Sequence, residues 1–207
     1  MINFHYSQLF LLIYVIVYFL FYFLTYGRVE AKHEKSINDK YGKTRLGKIL
    51  GIILSLILLL WIVIIVVYFF IYDSLNWFWK IVLLDNDFVK IFAIAIMIAG
   101  LLLNVSFIRT VGKSIKKGVS SDEKPQLITT GIYNYIRHPA YTAIILSYLG
   151  TFLIIPNVLM LIFLLGGSFV IYEHSREEEK SLMKIYGEEY ETYKKRVGKF
   201  LPKLKRK

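Results

Sequence analysis

The chain contains no cysteine. Disulfide frameworks, thiolate nucleophiles and thiolate metal sites are thereby excluded, and no metal site is expected; the compartment stays open, since a cysteine-free chain is merely compatible with a cytosol-facing site. Acidic residues are sparse, 15 against 26 Lys and Arg, for a formal net charge of +11. In a soluble protein that balance would suggest nucleic acid. Here almost all Lys and Arg fall in loops or tails between apolar runs, the distribution of a membrane protein rather than a nucleic-acid binder. What the chain has in plenty is apolar surface: 56% of its 207 residues are hydrophobic and the mean hydropathy is +0.52. That is too apolar for a soluble domain of this size and predicts an all-α integral membrane protein.

Run length supplies the number of spans, because a helix rising about 1.5 Å per residue needs roughly 20 apolar residues to cross the hydrocarbon core. Leu9 to Leu24 is uncharged and flanked by Tyr; with no Lys or Arg before it and no small-residue cleavage site after it, it reads as a retained span rather than a signal peptide. Ile49 to Tyr72 is an uninterrupted second span and Ile91 to Ile108 a third, with Gly100 suited to close helix packing. Ala140 to Tyr172 carries no charge and would be about 50 Å long as one helix, more than one bilayer core. Pro156-Asn157 near its middle breaks it into a hairpin of two short antiparallel helices, since proline lacks the amide donor and disfavours helix in the residue before it. The expected architecture is therefore about five transmembrane helices, with the tail beyond Tyr172 continuing as amphipathic cytosolic helix, a second short helix after Gly187, and Gly198 and Pro202 at its end. Basic residues crowd the loop after the first span, the loop-like Arg109 to Arg137 segment and the C-terminal tail, whereas the Asp73 to Asp87 loop is acidic and aromatic. This places the N-terminus outside and the C-terminus in the cytoplasm, in the cell membrane.

The chain reads as a single domain, 1–207, in which 1–108 form three scaffold spans and 109–207 carry the chemistry. Two polar stretches bracket the hairpin. The first is Gly131-Ile132-Tyr133-Asn134-Tyr135-Ile136-Arg137-His138-Pro139-Ala140-Tyr141, and the second runs from Glu178-Glu179-Lys180-Ser181-Leu182 to Gly187-Glu188-Glu189-Tyr190. Each has a bland reading. Arg137 and the tyrosines suit an interfacial belt, Pro139 suits a first helical position, and Glu177-Glu178-Glu179 pairs with Lys180 or Lys184 on a solvated helix. Their joint order and spacing, from Leu127-Ile128-Thr129-Thr130-Gly131 through to Tyr193-Lys194-Lys195-Arg196-Val197, resembles the isoprenylcysteine carboxyl methyltransferase family, membrane enzymes that use S-adenosylmethionine and are related to the phospholipid methyltransferases.

The resemblance covers roughly Leu127 to Pro202, and the five-span layout is similar to that of the smaller prokaryotic members. It implies that Pro125, Gln126, Leu127, Ile128, Tyr133, His138, Pro139, Ala140, Tyr141, Glu178 and Glu179 hold S-adenosyl-L-methionine. It further implies that His174, Arg176 and Glu178 serve catalysis on a lipid-like acceptor from the bilayer. Two positions depart from the eukaryotic pattern: Pro125 stands where those enzymes have a His, and His174 where they have an Arg, with Arg176 two residues on.

The residue chemistry agrees with that class. A carboxylate such as Glu178 or Glu179 accepts from the cofactor's ammonium or hydroxyls, and His138 or Arg137 suits its carboxylate. An acceptor carboxylate is already ionised and needs alignment and dehydration rather than a base; Arg176 or His174 would position it. An amino-lipid acceptor would need a base, with Glu179 or His138 as candidates. A sterol-type reductase using nicotinamide and a non-catalytic scaffold that binds anionic lipid are the more distant alternatives. Oligomeric state is open.

Overall fold

The computed structural model describes residues 4–21, 44–70, 80–116 and 126–203. Among these residues the fold is all-helical: α1 (Phe4–Phe21), α2 (Arg45–Phe70), α3 (Asp87–Lys116), α4 (Pro139–Ile154), α5 (Val158–Tyr186) and α6 (Glu188–Arg196), with short 3-10 turns at Val82–Leu84 and Gly131–Asn134. The protein is a membrane protein. α2, α3 and α5 are long and apolar enough to cross a bilayer, while Tyr6–Leu20 within α1 and Pro139–Ile154 are shorter apolar helices.

The hairpin forms where proline predicts it. α4 ends at Ile154, and Asn157 caps α5 by accepting from the Met160 amide at 2.8 Å. The two arms are unequal, however. α4 has 16 residues, whereas α5 has 29 and is long enough to span, because nothing after Tyr172 breaks the helix until Gly187 adopts φ 56°. The expectation of two short helices therefore holds for α4 and is corrected for α5, whose apolar arm runs without a break into the amphipathic helix expected beyond Tyr172. A second correction concerns Arg109 to Lys116, which is not a loop but the last part of α3. Loss of apolar character does not end a helix, and Ser106 and Thr110 bond back to the carbonyls four residues earlier.

Small residues let α3 and α4 approach closely. A side chain at Gly150 would collide with Met97, one at Gly100 would lie 3.2 Å from the Ala143 carbonyl, and Ala93 and Ala143 are fully buried. This is close backbone packing of the kind that membrane helices use in place of hydrophobic collapse. An aromatic cluster fills the other side: Tyr14, Tyr18, Trp61 and Tyr148 are buried, and Trp61 meets Tyr148 edge-on with ring centroids 5.6 Å apart. Inside this core the Tyr14 hydroxyl bonds Ser147 Oγ at 2.6 Å. The outward-facing residues of α1 and α2, among them Ile16, Phe19, Ile52, Leu56 and Leu59, are exposed and apolar, as lipid contact requires.

The two ends of the bundle differ in what ties them. At one, the Ile81 amide donates to the Pro156 carbonyl at 2.7 Å, and Asp85 pairs with Lys80 and Lys90. At the other, Thr44 at the start of α2 donates to Glu177 on α5 at 2.9 Å, and the C-terminal segment after α6 crosses the start of α4. All the predicted site residues that are described lie towards this second end.

Candidate active site

His138 immediately precedes α4, and Pro139 takes the first helical position, where a missing amide costs nothing. The backbone is set by the C-terminal segment: the Arg137 amide donates to the Gly198 carbonyl at 2.9 Å and the His138 amide to the Lys199 carbonyl at 3.0 Å. Gly198 is required there, because a Cβ would run into the Leu201 carbonyl. Thr142 adds a hydroxyl bond to the Phe200 carbonyl at 2.9 Å, and the Phe200 ring lies 6.0 Å from the His138 ring.

The imidazole of His138 reaches both glutamates of α5. Nε2 is 3.1 Å from Glu179 Oε1, and Nδ1 is 3.5 Å from Glu178 Oε2. Tyr141, one turn into α4, stacks on that ring at 5.5 Å and places its hydroxyl 2.8 Å from His174 Nδ1. The same hydroxyl also interacts with Glu178. His174 and Glu178 are four residues apart and share one face of α5. The result is a connected group of His138, Tyr141, His174, Glu178 and Glu179, built from the first turn of α4 and the polar extension of α5.

The adjacent glutamates have different surroundings. The Glu179 side chain is 8% exposed, and it receives Arg137 through Nε at 3.1 Å and Nη2 at 2.9 Å, His138, and Lys194 Nζ at 3.4 Å. The Glu178 side chain is 45% exposed and lies beside His138. Arg137 spends its remaining nitrogen, Nη1, on the carbonyls of Lys194 and Val197. Every guanidinium nitrogen is thus engaged in tying α5 to the end of α6, just as both ring nitrogens of His138 are directed at Glu179 and Glu178. Burial alone would push the His138 pKa down, but the carboxylates of Glu178 and Glu179 outweigh it and hold the imidazole above its ordinary value.

The remaining predicted residues are distributed around this group. Leu127 packs on a cluster of Ile185, Tyr186, Tyr190, Tyr193 and Val197, and the Tyr193 hydroxyl donates to the Tyr133 carbonyl at 2.7 Å. Ile128 and Ala140 are half-buried, Pro139 is buried, and Gln126 is exposed. Pro125 lies outside the described residues. Arg176 projects from a different side of α5, paired with Glu173 at 3.0 Å, and is not part of the connected group.

Two contributions were missed by sequence reasoning. α2 supplies Thr44 and two close glycines: a Cβ at Gly51 would stand 3.3 Å from His174 Nε2, and one at Gly47 would stand 3.5 Å from Glu177 Cβ. The small-x-x-x-small spacing of Gly47 and Gly51 was the available signal. The second is the Gly198–Phe200 segment, whose backbone carbonyls carry no sequence signature.

Comparison with known proteins bears on this geometry. Residues 88–189 match the family described as phospholipid methyltransferase. The protein-S-isoprenylcysteine O-methyltransferase of Xenopus laevis is 29% identical over 119 residues, 56% of this chain and 41% of that protein. The human protein of the same name is 29% identical over 138 residues, 63% of this chain and 46% of that protein. A methanethiol S-methyltransferase of Pseudomonas deceptionensis is 35% identical over 77 residues, 36% of this chain and 28% of that protein. The chain spans less than half the length of these curated relatives, and the matched region contains the polar group assembled by α4 and α5. Through that region the chain is similar to the phospholipid methyltransferase family and to the isoprenylcysteine O-methyltransferases.

Proposed function

We propose that the protein is an S-adenosylmethionine-dependent O-methyltransferase acting on the carboxylate of a prenylcysteine or similar lipid-like acceptor at the cytosolic face of the cell membrane. The observation that carries this reading is the meeting of His138 with the open carboxylate of Glu178, at the end of an apolar hairpin. The donor set fits the cofactor. Glu178 presents acceptor oxygens for an ammonium or ribose hydroxyls, His138 orients that carboxylate through Nδ1, and Leu127, Ile128 and Tyr133 offer apolar surface for a base. When bound, the sulfonium supplies its methyl to the acceptor oxygen, the C–O bond forming as the C–S bond breaks with its electron pair left on sulfur. No proton moves in that step.

The chain's part is orientation and exclusion of water. Glu179, itself held by Arg137, fixes the His138 ring, Tyr141 bonds His174 beside Glu178, and α5 offers exposed apolar surface along which an acceptor arrives. The test is binding of S-adenosylhomocysteine, with transfer of labelled methyl to lipid and isoprenoid acids followed by mass spectrometry. His138→Ala and Glu178→Ala should each weaken binding by about tenfold or more; unchanged affinity in both sinks the site. An amine acceptor must first lose a proton, so a rate rising steeply through neutral pH on an amino-lipid would replace the carboxylate reading.

A further inference from the structure

Lys199 occupies an unusual place. Its ammonium lies 4.5 Å from the ring centroid of Tyr172 and 5.6 Å from that of Phe200. Tyr172 is the last residue of the uncharged hairpin run and is 46% exposed, so it marks the boundary between lipid and water. Phe200 touches His138, and the Lys199 carbonyl is itself bonded by the His138 amide. The side chain therefore stands between the membrane boundary and the candidate site, on a backbone that the site anchors.

Its charge is also uncommitted. Arg137 and Lys194 pair with Glu179, Arg176 with Glu173, and Lys180 with Glu177. Among the described residues Lys199 has two aromatic contacts and no carboxylate paired with it. It is half-buried, and burial pushes its pKa down even though Glu179 acts in the opposite direction. A cation held over aromatic faces in a partly dehydrated place attracts an incoming anion more strongly than one in bulk water.

Building on the proposed activity, we infer that Lys199 is the specificity-determining residue that receives the acceptor's carboxylate at the membrane boundary and selects lipid-borne acids over amine or neutral acceptors. The acid group would approach along the lipid side and be held between Tyr172 and Phe200, while Glu178 faces the cofactor.

The test uses the full chain in nanodiscs of zwitterionic phosphatidylcholine, as wild type, Lys199→Gln and Lys199→Arg. The probes are S-farnesylthiopropionic acid and its uncharged amide, S-adenosylhomocysteine, and labelled S-adenosylmethionine for transfer to the acid. Lys199→Gln should raise KM and Kd for the acid by roughly ten- to a hundredfold. The same variant should leave kcat, amide binding and S-adenosylhomocysteine affinity near wild type, and Lys199→Arg should restore acid binding. Unchanged acid affinity in Lys199→Gln overturns the inference, as does failure of the wild type to prefer acid over amide. A loss of S-adenosylhomocysteine affinity would assign Lys199 to the cofactor instead. A loss confined to stimulation by added phosphatidylglycerol would assign it to lipid headgroups, and either result overturns the inference. Because acid and amide binding need no turnover, a wild type that binds acid but not S-adenosylhomocysteine would sink the proposed function while leaving the role of Lys199 measurable.

Discussion

Glu178 and Glu179 are neighbours in the chain, yet the first is a half-exposed carboxylate and the second a buried counter-ion. Glu179 neutralises Arg137 in a site where both side chains are almost fully buried, so removing Arg137 strips the carboxylate of two hydrogen bonds and leaves it His138 and the more distant Lys194. Arg137→Met should therefore lower stability by about 3 kcal/mol, measurable by denaturant unfolding in detergent; a change below about 1 kcal/mol would mean the pair is hydrated. His138 makes a second prediction. Its pKa is raised in the fold, so its contacts with Glu178 and Glu179 stabilise the protein fully below about pH 6.5. That contribution is lost as pH climbs through the raised value. Thermal stability should fall on that rise in the wild type, and His138→Gln should flatten the profile; a parallel fall in the variant would assign the effect to another group.

At the scale of elements, the site depends on two devices: the hairpin turn and the segment after α6. Asn157→Ala removes the cap of α5 and should cost about 1 kcal/mol, with cofactor affinity unchanged because the turn lies at the far end from His138. Gly198→Ala acts differently. The clash with the Leu201 carbonyl would displace the segment that bonds the Arg137 and His138 amides, so cofactor binding should be lost along with stability. Retained S-adenosylhomocysteine affinity in Gly198→Ala would show that the segment does not organise the site. The motifs on either side of the hairpin were legible because they are local, and Pro156 is a strong break signal. The continuation of helix beyond Tyr172 as an amphipathic segment was legible as well. Hydropathy ends at Tyr172, but helical hydrogen bonding continues to the first residue that adopts positive φ, Gly187.

For the whole molecule, the absence of cysteine makes orientation directly measurable, since a single introduced thiol has no background. If the charge distribution orients the protein as proposed, Leu83→Cys, 87% exposed beside the Pro156 turn, should react with a membrane-impermeant maleimide in intact cells. Lys195→Cys on α6 should react only after permeabilisation. The reverse pattern would put the His138–Glu178 group on the outer face.

The sequence by itself determined that the chain is a helical membrane protein, where its apolar runs lie, where the hairpin turns, and which polar motifs flank it. These are properties of run length, charge placement and proline, all readable within a window of one helix. Only the tertiary structure decided which side chains meet. That Arg137 is sealed against Glu179, that Glu178 is half-exposed, that Gly51 of α2 backs His174, and that Lys199 sits over Tyr172 all depend on helix rotation and on the path of the last residues. Contacts of that kind join positions far apart in the chain, and neither periodicity nor hydropathy specifies them.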